Sequence, residues 1–261
     1  MMSVSPNKPI KVAMLCGGGA SARMMYHGIA SHAQFVSIIV EESVPPSLLI
    51  RRRATKLGRW QTFGQLLFIV TNKLFQKLDK KRCKKLLEEH SLVDTEFPSE
   101  LVLEVKTINS AEVIEKLHSV SPDLVVVNGT RIIGVDVLDA IKVPIVNTHM
   151  GITPRYRGVH GGYWALACSD PNNCGVTVHR VDAGIDTGGI LYQAIVKPGR
   201  KDTFNTYPIL QMAAAIPLMQ QVIRDISSRE LTETEGVQPS RLWHHPTIWQ
   251  YVYSWLKLGR R

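Results

Sequence analysis

Asn147 and His149 stand two residues apart at the end of the apolar run Pro144–Asn147, inside VNTHMGITPRYRGVHGG, residues 146–162. On an extended chain residues i and i+2 project to the same face, so an amide and an imidazole lie side by side. The carboxyl end of a strand is where open α/β sheets hold their ligands. Two N–H donors there suit an oxygen that gains negative charge during a reaction. A histidine used this way needs a carboxylate to fix its tautomer and raise its pKa. The glycine-rich turn AGIDTGG, residues 183–189, offers Asp186. Each residue alone has a plainer reading: a strand-end cap, a surface histidine, a turn aspartate. Their combination, with the pattern between them, reads as a catalytic set.

The elements that must position this set follow from the hydrophobic pattern. Lys11–Cys16 predicts a strand that stops at Gly17-Gly18-Gly19, residues 20–32 a helix, and Phe35–Val40 a second strand. Leu101–Val105 is a strand candidate, and Asn109–Leu117 a short helix with Asn109 and Glu112 spaced as a capping box. Asp123–Asn128 has the continuous apolar character of a buried parallel strand. Val135–Ile141 reads as a helical turn, Gly175–Val181 and Ile190–Val196 as strands, and Thr206–Ile226 as a long helix containing Pro217. Strands alternating with helices predict an α/β, Rossmann-like fold with a mostly parallel central sheet. Residues 1–230 form the expected catalytic domain, interrupted by an inserted basic helical segment over 47–90. Residues 231–261 form an aromatic-rich, helical carboxyl-terminal appendage.

Bulk properties bound the function. The 261 residues can bury a full core, and the apolar fraction of 44% is ordinary. Four cysteines, at 16, 83, 168 and 174, form no CxxC pair, so neither a disulfide framework nor a metal site is expected. The first ten residues lack a charged-then-apolar leader, and no apolar run approaches the length of a bilayer span. A cytoplasmic protein is the expectation. Gly17-x-Gly19-x-x-Ala22, with Glu41 or Glu42 downstream, also fits the dinucleotide fingerprint. Such a loop can bind a phosphate or nicotinamide cofactor at a helix start, or simply supply the positive φ of a tight turn.

N-x-H, then P-x-x-x-G, then G-V-T-V-H-x-V-D-x-G-x-D-T-G-x-I resembles the folate-dependent formyltransferase family. That family includes glycinamide ribonucleotide transformylase, methionyl-tRNA formyltransferase and the sugar N-formyltransferases. The match covers Asn147–His149, Pro154–Gly158 and Gly175–Ile190, and extends upstream to Pro122–Ile133, PDLVVVNGTRII. The resemblance implies the formyltransferase fold and transfer of a formyl group from 10-formyltetrahydrofolate to an amine. Carried over by position, Asn147 and His149 would stabilise the tetrahedral oxyanion. Asp186 would pair with His149 and help take the proton from the amine. Arg131, Ile132 and Ile133, together with Val181, Asp182 and Gly184, would hold the pterin through backbone groups. Met150 departs from the proline found here in many relatives.

The amine is less determined. A nucleotide-linked amino sugar of cell-envelope glycan (lipopolysaccharide) synthesis is the expected acceptor, with Gly17, Gly18 and Gly19 or Arg155 and Arg157 meeting its diphosphate. Methionyl-tRNA and glycinamide ribonucleotide are the alternatives within the family; no nucleic-acid partner is expected. An NAD(P)-dependent oxidoreductase and a non-catalytic membrane-associated module are the alternatives outside it.

Two segments remain. The net charge is +9, yet residues 51–85 carry twelve Lys and Arg against Asp79 alone, so the rest of the chain is slightly acidic. That segment has an apolar stripe of Leu57, Trp60, Phe63, Leu67, Val70, Leu74 and Leu78. The tail 243–261 holds three of the five tryptophans, with Ile248, Val252, Trp255 and Leu258 expected on one helical face, Trp249 and Tyr251 flanking, and two arginines at the end. Both segments can dock on the core or on a second subunit of a homodimer. Alternatively they make peripheral contact with an anionic membrane, placing the protein at the inner membrane face.

Overall fold

A computed structural model describes residues 9–259. The side chain of Leu258, and Arg260 and Arg261, lie outside the described part. In chain order the elements begin with β1 (Lys11–Cys16), α1 (Ala20–Ile29), β2 (Gln34–Glu41), α2 (Pro46–Leu57), α3 (Arg59–Glu89), β3 (Val102–Val105) and α4 (Ala111–Val120). Next come β4 (Leu124–Asn128), α5 (Val135–Ala140), β5 (Ile145–His149), β6 (Arg157–Gly158) and α6 (Gly161–Ala167). The chain ends with β7 (Gly175–Arg180), β8 (Ile190–Ile195), α7 (Tyr207–Ser228), β9 (Leu242–Trp243) and α8 (Ile248–Leu258).

The central sheet has seven strands in the order β3-β2-β1-β4-β5-β7-β8. β1 to β5 run parallel, and β7 and β8 add as an antiparallel edge. Because side chains alternate along a strand, β1 splits its apolar residues between two cores. Val12, Met14 and Cys16 face α1 and α7, where Met25, Ile29, Met212 and Met219 are buried. Ala13 and Leu15 face α4 and α5, against Val113, Leu117 and Val137. Two covered faces explain why β1 and β4 read as unbroken apolar runs. The chain order reverses between β1 and β4, so a crevice opens at their carboxyl ends.

A third, aromatic cluster lies beside the sheet. It joins Phe68 of α3, Tyr163 and Trp164 of α6, Phe204, Trp243 of β9 and Tyr251 of α8. This cluster corrects both helical patterns. The buried residues of α3 include Thr62, Gln65, Phe68, Asn72 and Asp79, while Trp60, Phe63, Leu67, Val70, Leu74 and Leu78 face outward. The polar face goes inside where the amide nitrogens of Gln65 and Asn72 and the Asp79 carboxylate find partners. Gln65 donates to the His245 carbonyl at 2.8 Å, Asn72 to Asn205 Oδ1 at 2.9 Å, and Asp79 accepts from Thr203 at 2.7 Å and Asn205 at 2.9 Å. In α8, Tyr251 is the buried anchor rather than a flank, and Val252 and Trp255 are 38% and 40% exposed. Tyr251 fills the space between Phe68, Phe75 and Phe204, which leaves Val252 and Trp255 at the surface while Ile248 stays against the cluster.

Candidate active site

The crevice is a cleft of about 740 Å³. Its walls come from the start of α1 (Ala20, Ser21, Met24), the segment after β4, the end of β5, the loop after β7, and α7 at Pro208, Ile209 and Gln211. Asn147, His149, Asp186, Arg131, Ile132, Ile133, Val181, Asp182 and Gly184 all line it. Gly17, Gly18, Gly19, Arg155 and Arg157 are not among the lining residues.

Sheet register gathers the polar end. Asn147 of β5 pairs across with His179 of β7, and His149 with Thr177. Asp186 reaches the same place from a left-handed position, with φ 51°. Its Oδ2 accepts the Gly158 N–H at 2.8 Å and lies 3.2 Å from His149 Nδ1. Its Oδ1 lies 3.5 Å from both Asn147 Nδ2 and His179 Nε2. Burial pushes the Asp186 carboxyl up, but His179, His149 and the Gly158 N–H outweigh it and hold the group at about 2. Asp186 is therefore a fixed anion at neutral pH.

His149 is buried and held at both nitrogens. Nε2 donates to the Tyr156 carbonyl at 2.6 Å, while Nδ1 faces Asp186. Burial lowers its pKa, against the pull of Asp186 and that carbonyl. Acceptors face both ring nitrogens, so a protonated ring can donate to the Tyr156 carbonyl and to Asp186 at once. This differs from the side-by-side donor pair read from the i, i+2 spacing. The chain folds back over residues 151–156 and places a carbonyl on the ring at Nε2, while Asn147 Nδ2 faces His179 Nε2 at 3.2 Å and, more loosely, Asp186 Oδ1 at 3.5 Å.

His179, the histidine of the G-V-T-V-H pattern, stands against the same groups. Its Nδ1 donates to the Arg180 carbonyl at 2.6 Å, and Nε2 lies 3.2 Å from Asn147 Nδ2. Strand alternation put Thr177 and His179 on one face; that this face meets Asn147 needed the β5–β7 pairing. The two arginines have structural tasks. Arg157 donates to the Ile185 carbonyl at 2.9 Å, bracing the turn that carries Asp186, and Arg155 pairs with Asp170 at 3.2 Å.

The glycine loop also works structurally. A Cβ on Gly17 would stand 2.5 Å from the Gly129 carbonyl oxygen, and the Gly18 carbonyl accepts from Arg23 at 2.9 Å. Glu41, one of the two acids that fit the dinucleotide fingerprint, is buried under the cleft loop. It accepts from the Ile108 and Arg131 N–H groups at 2.9 Å each. Asn109 does not cap α4, whose N-cap is Ser110. Its side chain instead donates to the Ile132 carbonyl at 2.9 Å and accepts from the Gly134 N–H at 2.7 Å, clamping residues 131–134 against the cleft.

The family model described as Formyl transferase matches residues 50–209. The chain belongs to the formyl transferase family. Within it, the chain is 34% identical over 128 residues to methionyl-tRNA formyltransferase of Desulfotalea psychrophila, covering 49% of this chain and 39% of that protein. It is 29% identical over 157 residues to the protein of the same name from Pseudomonas syringae pv. tomato, covering 60% of this chain and 47% of that one. The chain thus spans less than half the length of these curated relatives. Among solved structures it shares its fold with a sugar N-formyltransferase from Shewanella sp, at a TM-score of 0.57 and 14% identity over 89% of this chain and 76% of that one. It shares it also with phosphoribosylglycinamide formyltransferase from Streptococcus pneumoniae, at 0.55 and 22% over 83% and 98%. The formyl transferase match covers β4, β5 and β7 and every cleft residue named above from Arg131 to Asp186.

Proposed function

We propose that the protein transfers a formyl group from 10-formyltetrahydrofolate to the primary amine of a nucleotide-linked amino sugar. One observation carries the reading: Asn147, His149, His179 and Asp186 converge in a cleft whose remaining lining sets apolar side chains among polar ones such as Asn128, Arg131 and Asp182. Met24, Val127, Ile133 and Val181 are its apolar part. A flat heterocycle with a donor and acceptor edge suits such a mixed lining, with its reactive group set against the four polar side chains, so the cleft fits the donor. When bound, 10-formyltetrahydrofolate supplies the activated formyl carbon.

The protein's own groups then have distinct tasks. Asn147 Nδ2, by exchanging its 3.5 Å contact with Asp186, would direct an N–H at the oxygen that becomes negative as the amine adds. Asp186 and His149 together receive the proton the amine must lose, directly or through water, and His149 becomes the doubly bonded imidazolium. Arg157 and the Gly158 N–H hold Asp186 in place. No covalent link to the protein is required, because a neutral amine is itself a sufficient nucleophile. The paired proton acceptor returns its proton to the departing folate nitrogen, which closes the balance.

A second acceptor, methionyl-tRNA, is favoured by the names of the sequence relatives. Calorimetric titration with 5-formyltetrahydrofolate, with NADH as control, tests the donor. Saturable folate binding with no NADH response is expected, and NADH binding alone would overturn the reading. Turnover with a panel of nucleotide-linked amino sugars, run beside charged initiator tRNA, then separates the acceptors. Unchanged folate-dependent turnover in His149→Ala would remove the site assignment.

A further inference from the structure

The outward stripe of α3 has no use in the cleft. Trp60 is 72%, Leu74 62% and Leu78 70% exposed, and Phe63, Leu67 and Val70 continue the row at spacings of three and four. The row spans about five turns on a helix whose other face is already seated. α8 widens it: Trp249 stacks on Trp60 with centroids 5.1 Å apart, and Val252, Tyr253, Trp255 and Leu256 are exposed beside it. Lys73, Lys77, Lys80 and Lys81 are exposed along the same helix. Among the described residues, ion pairs on this stretch involve Arg82, Lys84 and Lys85 instead. Asp79, the one acid between Arg51 and Lys85, is buried.

The geometry points to a platform, formed by the outer faces of α3 and α8, that lies on an anionic lipid bilayer. Aliphatic and tryptophan side chains enter the headgroup–acyl boundary, and the lysines meet the lipid charge. A second copy of the chain fits less well, since docking stripe on stripe sets two unneutralised lysine rows against each other. A nucleic acid would satisfy the lysines and leave the aliphatic row in water. The surface reaches toward the cleft through one link: His160, which lines it, bonds His245 at 2.9 Å, three residues before α8. The inference stands apart from the formyl-transfer reading.

The test is co-sedimentation of the full chain with vesicles of phosphatidylglycerol and phosphatidylcholine, against phosphatidylcholine alone, with circular dichroism to confirm folding. Binding is expected on the anionic vesicles only, and weakens as salt rises from about 0.05 to about 0.5 M. Lys77→Ala should lower the partition coefficient about fivefold. Leu74→Glu with Leu78→Glu should abolish binding, and because both positions are exposed the fold should survive. No binding to anionic vesicles at low salt would overturn the proposal, as would binding that the two glutamates leave unchanged. A soluble dimer dispersed by those glutamates, with no vesicle binding, would assign the stripe to a second copy instead. Because binding is read without turnover, a catalytic failure cannot be mistaken for a failure here.

Discussion

Replacing Asp186 with asparagine tests the site most directly, because it keeps the shape and removes the charge. The side chain is 13% exposed, so its interactions are weakly screened. Its carboxyl is held at about 2 against an ordinary 3.8. That gap corresponds to about 2 kcal/mol of stability at neutral pH. The folded-state value lies below the unfolded one, so this contribution is complete above about pH 4 and is lost as pH falls through about 2. Asp186→Asn should therefore unfold at lower urea than the parent at pH 7, by about 2 kcal/mol, and the difference should shrink below about 1 kcal/mol by pH 2.5. Formyl transfer should fall by about 10²–10⁴, since His149 loses the anion that stabilises its protonated form. The pair of measurements is urea unfolding of both proteins across the acid range and steady-state turnover at neutral pH. A stability gap that does not change on acidification would refute the assignment of the charge. Turnover within about threefold of the parent would refute the proton-acceptor role.

Three further outcomes are expected. Asn147→Ala should reduce kcat by about 10²–10³ with little effect on folate affinity, because it removes a donor used as charge develops; equal losses in kcat and affinity would make Asn147 a binding residue instead. Asn109→Ala removes two hydrogen bonds that clamp residues 131–134, and at about 1 kcal/mol each should weaken 5-formyltetrahydrofolate binding by about tenfold or more while kcat stays near its original value. Gly64→Ala sets a methyl group against the ring of Trp249. It should destabilise the α3–α8 contact by about 1–3 kcal/mol, seen as lost near-ultraviolet tryptophan signal and faster proteolysis of the tail.

The sequence by itself determined most strands of the sheet and the family to which the chain belongs. Continuous apolar runs in β1 and β4 mark strands covered on both faces, and the glycines after β1 mark a sharp exit into α1. The N-x-H pattern and the glycine-rich turn with Asp186 carried the family resemblance, because those residue types at those spacings have few other uses. Tertiary structure decided what depends on partners distant in the chain. The β5–β7 pairing brought His179 to Asn147, and the fold-back of residues 151–156 put a carbonyl on His149. Asn109 looked like a helix cap until residues 131–134 came within its reach. Periodicity alone shows that a helix has an apolar face, but it cannot say which face is buried. In α3 the polar face turned inward because Gln65, Asn72 and Asp79 found hydrogen-bond partners in residues 203–245. Those partners lie more than a hundred residues away, so no local pattern could announce them, and the apolar stripe they displaced now forms the surface of the molecule.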